Sequence, residues 1–380
     1  MRRDSQSKSS RGKFWKLLVR IWPTFAIIAV VLIFFYPVWV KNLIPLPADF
    51  VVGVYYPWLD YKWGFSVGVP VKNPMTTDVV SFVYPMQMLA IDLIKSGQWP
   101  LWNPYILTGT PLLANFQSAP FSPTNFVYFL FDRLTAWSVQ VALQHFLAAI
   151  FTYLLLRYWK VSRLSSVLGG VIFAFSGFNT IWSQWNGHAL SGAFIPLLIL
   201  LEDRWLKIGK WRDGALFSVV LSAQILSGYP QVVFYTGVAL VLLAIFRFEK
   251  TTRWLGRLGG LGIFGLLGIG LSSFQILPGA ELLSLSQREI EPHPYGWAFL
   301  PWVKIITFLA PDYFGNHATQ NYWGPQDYTS NTGFVGVVAF SLAVAGAMLL
   351  RKKREVIYIV LVLVFALLLS FPTPISVFLW

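Results

Sequence analysis

Residues 21–40 read IWPTFAIIAVVLIFFYPVWV, a run of twenty residues without a charged side chain. As an α-helix this run is about 30 Å long, which matches the hydrocarbon core of a bilayer. The whole 380-residue chain has the same character, because 56% of its residues are hydrophobic and only 12% are charged. The charged fraction is about half that of an ordinary soluble domain. This composition excludes a soluble enzyme and predicts a polytopic membrane protein.

Apolar runs recur along the chain and are separated by short polar joints. We therefore predict an all-α transmembrane helical bundle of about nine spans. The first span follows a basic segment but lacks a small-residue cleavage site before Lys41, so it is expected to remain as an anchor. The predicted spans are residues 21–40, 137–156, 164–183, 187–201, 214–228, 231–246, 258–278, 333–350 and 356–372.

Basic residues are distributed unevenly between the two sides of this predicted bundle. If residues 1–20 are cytoplasmic, 22 of the 29 Lys and Arg residues lie on the cytoplasmic side and seven lie outside. The positive-inside rule then predicts a cytoplasmic N-terminus. The net charge of +13 is explained as an orientation signal, so no nucleic-acid partner is predicted.

The topology divides the chain into three parts. Residues 1–20 are a cytoplasmic basic tail, residues 21–372 form the transmembrane domain, and residues 373–380 look like the start of a further span in a truncated chain. Within the domain the outer loops 41–136 and 279–332 are long, whereas the cytoplasmic joints are short. We therefore expect function to lie on the outer face, where loops rich in Trp and Tyr suit the membrane interface.

The first outer loop contains one predicted amphipathic helix, which begins at Pro85 and ends before Gly97. Such a helix is either a packing element or the wall of a lipid-facing groove, and the pattern alone favours the packing element. Its predicted apolar face consists of Met86, Leu89, Ala90, Leu93 and Ile94.

Common catalytic motifs are missing from the sequence. It contains no GxxxxGK[ST], no GxGxxG after a strand, no HExxH and no GxSxG. There is no cysteine, and a histidine metal cage is not indicated because the four histidines are scattered. No cofactor is predicted, and a divalent metal is possible without being indicated. The histidines are His145, His188, His293 and His317.

Asp78 stands apart among the carboxylates that remain as acid-base candidates on the outer face. The sequence Thr76-Thr77-Asp78 precedes an apolar stretch, which would put a carboxylate at a helix entrance near the membrane surface. A structural alternative is that Asp78 caps the helix N-terminus. From the local pattern alone the cap is the better explanation.

A longer ordered set of residues includes Asp78 and continues past the first outer loop over most of the chain. In the first loop the set is Asp78, Tyr84-Pro85, Gly97, Trp99-Pro100-Leu101-Trp102-Asn103-Pro104, Gly109, Pro111-Leu112, Ala114-Asn115-Phe116-Gln117-Ser118 and Phe121-Ser122-Pro123. Shorter segments follow at Trp185-Asn186-Gly187-His188, Gly228-Tyr229-Pro230-Gln231, Leu277-Pro278 with Glu281, Ser286-Gln287-Arg288 and Pro311-Asp312-Tyr313-Phe314-Gly315. In these residues the chain resembles the YfhO-like bacterial membrane proteins, a family similar to the GT-C glycosyltransferases.

The resemblance implies transfer of a sugar from a polyprenyl-phosphate donor to a cell-envelope acceptor. The reaction would take place on the outer face of the bacterial cytoplasmic membrane. Two departures from the family are visible, since its members usually continue through several more spans and this chain has no DxD pair in its first loop. The second departure leaves metal use open.

Site residues follow from the same resemblance. Asp78 is predicted to be the base that accepts the acceptor hydroxyl's proton, with Asp49 as the fallback, and a phosphate leaving group needs no general acid. Arg288 is the first choice to bind the phosphate, although a salt bridge to a neighbouring glutamate would explain it equally well. Further candidates to bind the phosphate are Lys304, Lys72, Lys95 and His188, of which His188 could instead be a hydrogen-bonded structural residue. Asn115 and Gln117 could bind sugar hydroxyls and Trp102 could stack on the sugar ring, although each could equally order the loop. Glu281 is a further candidate for substrate binding.

Two other classes of function remain open from the sequence. A transporter or flippase of lipid-linked envelope precursors would share the spans and the aromatic belts. Intramembrane charges usually mark transport routes, however, and here charged side chains are expected almost wholly in loops. A non-catalytic membrane scaffold is the third hypothesis. Unlike the enzyme, a scaffold would tolerate substitution of Asp78.

Overall fold

A computed structural model describes residues 21–249, 251–286, 299–326, 328–329 and 333–379, so the basic tail and Arg288 lie outside the described residues. The regular structure of the described chain is helical, apart from a short antiparallel ladder of β1 (Trp102–Asn103) and β2 (Thr110–Pro111), which confirms the all-α class. The α-helices are α1 (Ile21–Phe34), α2 (Tyr36–Lys41), α3 (Asp49–Val54), α4 (Tyr84–Lys95), α5 (Arg133–Tyr158), α6 (Arg163–Ala174), α7 (Gly177–Trp182), α8 (His188–Ala193), α9 (Ile195–Ile208), α10 (Trp211–Leu226), α11 (Pro230–Phe246), α12 (Thr252–Leu271), α13 (Ser273–Ser284), α14 (Val337–Leu349), α15 (Arg354–Ser370) and α16 (Pro374–Leu379).

Capping residues explain several of these helix boundaries. α5 begins after Asp132, whose carboxylate accepts hydrogen bonds of 3.1 Å from two backbone NH groups of the first turn. Ser162 and Thr251 cap α6 and α12 in the same way. α9 ends at Gly209, which adopts the left-handed conformation with φ +73°. Local sequence therefore defines where these helices begin and end.

Helical residues occur in all nine predicted spans, but fewer helices are long and apolar enough to cross a membrane. In the described part of the chain three stretches meet this standard, namely Pro74–Lys95, α5 and α12. The first of these lies in the predicted first outer loop and not in one of the nine predicted spans. A fourth is obtained if α6 and the segment Gly177–Trp185, which are bent by 52°, form one broken span. Other predicted spans are divided, since α9 starts anew after α8 with Pro196 in its first turn, and Ser272 separates α12 from α13. Nine continuous spans are thus not established.

The helix in the first outer loop is longer than predicted. Helical turns begin at Pro74 and continue through a π-helical turn, Val79–Val83, into α4. The α-helical part, α4, has Pro85 in its first turn and ends at Lys95, close to the predicted bounds, and the extension before it is the wider π-helical turn, which accommodates the proline ring and its missing NH group. Met88 and Ile91 of α4 lie in the protein core. The helix serves as a packing element.

The core is built around α5, which packs against α6, α8 and α9. One buried cluster joins α5 to α1 and to the first outer loop and includes Val31 and Trp137. A second cluster, which includes Leu198 and Phe264, joins α8 to α12. The outward faces are also apolar, as Leu266 of α12 is 70% exposed. Such faces suit contact with hydrocarbon better than contact with water.

Charged side chains do not fall almost wholly in loops, contrary to expectation. Glu202 and Asp203 are fully buried, because α9 continues to Ile208, beyond the predicted end of its span at residue 201. Arg247, at the end of α11, is also buried and forms an ion pair with Asp203. This cation compensates the buried Asp203 carboxylate, and the sequence pattern did not reveal the pairing.

Candidate functional site

Asp78 is an exposed carboxylate at the start of the π-helical turn in the first outer loop. Its side chain makes no capping hydrogen bond within the described structure, so the N-cap explanation is wrong. The cap of the adjoining 3₁₀ turn is instead Asn73, whose side chain accepts a hydrogen bond from the Met75 backbone NH at 3.1 Å. Asp78 accepts one from Trp185 Nε1 to Oδ2 at 2.7 Å. The carboxylate is thus oriented by a residue 107 positions away in the sequence.

Trp185 is a rigid donor for this hydrogen bond. Its side chain is only 4% exposed and belongs to the core cluster around α5. It also contacts Trp182, with 4.8 Å between the ring centroids. The 3₁₀ turn that carries Trp185 ends at Asn186 in the left-handed conformation. Because the indole is packed on several sides, it holds one carboxylate oxygen of Asp78 at a fixed position.

His188 lies in an aromatic cluster beside this hydrogen bond. The imidazole stacks on Trp182, with centroids 4.7 Å apart and planes 8° apart, and its centroid is 3.5 Å from that of Tyr229. The residue is 5% exposed, and Nδ1 has no hydrogen-bond partner among the described residues. This position fits the structural alternative for His188 better than a contact with a phosphate at the surface.

Three glycines allow distant segments of the predicted site to touch. A Cβ atom on Gly187 would lie 2.8 Å from the Ser227 carbonyl oxygen, and one on Gly228 would lie 2.4 Å from that of Phe116. A Cβ atom on Gly279 would lie 2.4 Å from the Phe116 ring. We call Phe116, Gly187, Gly228 and Gly279 the glycine junction. It brings together four segments that carried the family resemblance.

Three of the predicted sugar contacts lie in the first outer loop. The Asn115 side chain accepts a hydrogen bond from the Gln117 backbone NH at 2.9 Å and so orders its own turn. The Gln117 side chain makes no hydrogen bond with the described residues and is half-buried. Trp102 is 52% exposed, and its indole packs against Gly109, where a Cβ atom would lie 2.5 Å from Nε1. Trp102 therefore has both a local packing contact and an accessible ring surface.

The remaining predicted residues are not gathered around Asp78. Asp49 Oδ2 accepts a hydrogen bond from the Lys72 backbone NH at 2.8 Å, which joins α3 to the following loop. Lys95 ends α4, and its ammonium lies 5.7 Å from the centroid of the Phe129 ring. Glu281 is exposed on α13, two residues after the glycine junction. Arg288 and its proposed glutamate partners lie outside the described residues.

Lys304 lies in a cavity of about 310 Å³ at the second outer loop. The ammonium group is almost completely buried, donates to the Tyr322 hydroxyl and lies 5.4 Å from the centroid of the Phe314 ring. Tyr328, which also lines the cavity, donates to Asp312 Oδ1 at 2.7 Å. Burial and, next, this hydrogen bond raise the pKa of the Tyr328 hydroxyl, so it remains a donor at neutral pH.

The two outer loops meet next to this cavity. The turn Pro74–Thr76, just before Asp78, contacts the turn His317–Thr319 of the second loop. His317 in turn lies against Tyr322, with ring centroids 4.6 Å apart. The turn that precedes Asp78 is therefore connected, through His317, to Tyr322 in the wall of the cavity.

A buried network of amide side chains supports the first outer loop, and sequence reasoning missed it. Gln140 of α5 donates to Asn125 Oδ1 at 3.0 Å, and Gln87 of α4 donates to the same oxygen at 3.0 Å. Asn186 joins the network through Gln144, which donates to it at 2.7 Å. The spacing of Gln140 and Gln144 within an apolar span was the available signal. The network ties the segments that carry Asp78 and Trp185 to α5.

Neither a search for metal-binding groups nor comparison with known proteins assigns a function to this site. Among the described residues no group of three or more His, Cys, Asp or Glu side chains is arranged to hold a metal ion. No family model, no curated protein and no solved structure matches the chain. The resemblance to the YfhO-like family and every role inferred from it therefore stay predictions.

Proposed function

We propose that the protein is a GT-C-type glycosyltransferase that moves a sugar from a polyprenyl phosphate to a cell-envelope acceptor. The acceptor would be a polymer, a lipid or a protein. The hydrogen bond between Trp185 and Asp78 is the observation that carries the proposal. An exposed carboxylate that is fixed by a buried indole is oriented in the way that a catalytic base requires.

Asp78 would accept the proton of the acceptor hydroxyl as that oxygen forms its bond to the sugar carbon. The bond from this carbon to the donor phosphate breaks at the same time, and the polyprenyl phosphate leaves with the electron pair. One base suffices, because phosphate is a good leaving group, and the sugar carbon is inverted. Trp185 engages Oδ2, which leaves Oδ1 for the acceptor.

The donor phosphate needs cationic or hydrogen-bonding partners. The cavity at the second outer loop offers Lys304 together with the hydroxyl groups of Tyr322 and Tyr328. A lysine and two hydroxyl groups can bind a phosphate through charge-assisted hydrogen bonds. Arg288 remains our first choice for a further phosphate contact on the basis of the resemblance. No metal is required by this scheme, and the side chains involved do not exclude one.

The membrane arrangement belongs to the same proposal. We place the N-terminus in the cytoplasm and the outer loops on the outside of a bacterial cytoplasmic membrane, with about nine passes through the bilayer. The supporting observations are the asymmetry of basic residues and the helices that are long and apolar enough to span. A lipid-linked donor would present its phosphate at the level of the outer loops.

A transporter or flippase is the second candidate, and the buried charges favour it. Glu202, Asp203 and Arg247 lie within the helical bundle, where charged residues often mark a route for a substrate or proton. The ion pair between Asp203 and Arg247 also has a simple structural explanation. For this reason we rank transport below sugar transfer.

Reconstituted liposomes distinguish the three classes of function. The protein is supplied with a radiolabelled polyprenyl-phosphate sugar and a cell-envelope extract, and a parallel sample receives a nucleotide sugar. Label in the extract from the lipid-linked donor alone supports the enzyme. Label that crosses the bilayer while it stays on the polyprenyl phosphate supports the transporter. If label neither transfers nor crosses, the scaffold is supported and the proposal fails.

A further inference from the structure

A second cavity lies at the other end of the bundle, among α9, α10, α11 and α12, and has a volume of about 600 Å³. This volume is within the range of small-molecule sites. None of the residues that line it also lines the cavity of Lys304, and neither Asp78 nor Trp185 is among them. The cavity is thus distinct from the region of Asp78 and Lys304.

Two buried polar groups in the wall of this cavity lack partners. Glu202 is fully buried, and neither of its carboxyl oxygens has a hydrogen-bond partner among the described residues. Trp254, 8% exposed, lines the same cavity, and its Nε1 also lacks a partner within the described chain. Buried polar groups without partners are costly and rare in native proteins. Their presence in one cavity points to a ligand that completes the hydrogen bonds.

The charged side chains near Glu202 that the structure describes do not supply these missing hydrogen bonds, because they form ion pairs with each other. Asp203 accepts hydrogen bonds from Arg247, Lys207 and the Trp159 indole. Asp213 forms a 3.0 Å ion pair with Arg204. Among the described residues, Arg247, Lys207 and Arg204 are thus engaged by the two aspartates, and Glu202 faces a cavity whose other described walls, apart from the Trp254 NH group, are apolar.

The rest of the wall is suited to an apolar chain. Val241 and Ile245 of α11 line the cavity and are 60% and 64% exposed, so the cavity opens at the outer surface of that helix. On α12, Gly262 and Gly265 also line it, and a Cβ atom on either would meet no atom within 4 Å. Because these two glycines have no side chains, they leave space along α12 in which a hydrocarbon chain from the surrounding lipid can lie.

We propose that this cavity binds a long-chain alcohol, whose hydroxyl group bonds to both Glu202 and Trp254. A hydroxyl can donate to the carboxyl group and accept from the indole NH, whereas an ammonium can only donate and an ester can only accept. The chain would extend past Gly262 and Gly265 to the opening at α11. Isoprenoid and fatty alcohols share this chemistry. The proposal does not depend on the proposed sugar transfer.

Photolabelling tests the proposal with purified full-length protein in nanodiscs. The probe is a hexadecanol that carries a diazirine in its chain, with dodecanol, farnesol, dodecane and dodecyl acetate as competitors. Labelling of α11 and α12 that is reduced by the two alcohols, but at least tenfold less effectively by the alkane and the ester, supports the site. Stronger competition by farnesol than by dodecanol would identify an isoprenoid alcohol as the ligand, and the reverse order would identify a fatty alcohol. Equal competition by alcohol and alkane would overturn the proposal.

Two variants separate the polar contact from the apolar wall. Glu202→Leu should lower the apparent affinity for the alcohol about tenfold, and Gly265→Leu should block the chain while it leaves Glu202 intact. Gly270→Leu is the matched control, because Gly270 also has open space around it on α12 but does not line the cavity. If Glu202→Leu does not fold, Gly265→Leu decides the outcome. Unchanged labelling in Gly265→Leu would refute the site.

Discussion

Arg247 forms a bidentate ion pair with Asp203 inside the helical bundle. Nε donates to Oδ1 at 2.7 Å and Nη2 donates to Oδ2 at 3.1 Å, although the two residues are 44 positions apart in the sequence. Both side chains are buried. The pair fastens the end of α9 to the end of α11, and its geometry matches the planar fork of the guanidinium group.

Removal of one partner should be costly, because the other charge would stay buried. Asp203→Asn is expected to lower the free energy of unfolding by about 3–5 kcal/mol. Asp92→Asn is the control, since the ion pair between Asp92 and Arg133 has side chains that are 43% and 57% exposed. That control should cost at most about 1 kcal/mol. Denaturation in detergent micelles measures the free energy of unfolding of both variants. Equal decreases in Asp203→Asn and Asp92→Asn would contradict this account of the buried pair.

The glycine junction predicts a contrast between two substitutions. Gly228→Ala should destabilise the protein by about 1–3 kcal/mol, because Gly228 has φ +93° and a Cβ atom would lie 2.4 Å from the Phe116 carbonyl oxygen. Gly237→Ala in α11 meets no atom within 4 Å and should leave stability unchanged or raise it by up to about 1 kcal/mol. Thermal unfolding of both variants checks the contrast. A neutral Gly228→Ala would show that the junction is loosely packed.

The cap of α5 predicts a dependence of stability on pH. Hydrogen bonds, first from the Thr135 side chain and then from its backbone NH, lower the pKa of Asp132 from its ordinary value of 3.8. A lowered pKa in the folded state means that the charged cap stabilises the fold above pH 3.8. This contribution is lost as the pH falls through the lower, folded-state pKa.

Asp132→Asn keeps a capping side chain but removes the titration. The stability of the wild type relative to this variant should therefore decline on acidification below about pH 4 and be constant at higher pH. Urea denaturation across this pH range measures the difference. A difference that does not change with pH would contradict a charged cap.

Trp185 should act as a positioning residue if Asp78 is the base. Trp185→Phe keeps an aromatic ring but removes the indole NH, so we expect turnover to fall roughly ten- to hundredfold with little change in KM. Trp182→Phe is the matched control, because Trp182 packs against Trp185 and His188 but makes no hydrogen bond to Asp78 in the described structure. A similar loss of turnover in both variants would indicate a packing defect instead.

The sequence predicted the helical class and many of the helix positions because those signals are local. Span 137–156 lies within α5, and the predicted span 231–246 coincides with α11 to within one residue. The extension of α9 past residue 201 was not predictable in this way. It depends on Arg247, which compensates Asp203 from another helix.

The candidate site shows the same division between local and non-local signals. A carboxylate at a helix entrance was visible in the pattern around Asp78, whereas its partner Trp185 is 107 positions away. The amide network of Gln87, Gln140 and Asn186 likewise joins three separate segments. Single residues of these contacts can be read from the sequence, but their pairing is created only when the helices pack.

The rate of sugar transfer by Asp78→Asn tests the central claim most directly. Asparagine has nearly the same shape as aspartate and can still accept a hydrogen bond from Trp185, but it cannot take up a proton. Transfer from a polyprenyl-phosphate sugar should fall at least about a hundredfold, while Asp92→Asn keeps the wild-type rate. Transfer by Asp78→Asn at the rate of Asp92→Asn, with equal amounts of folded protein, would contradict the claim that Asp78 is the base.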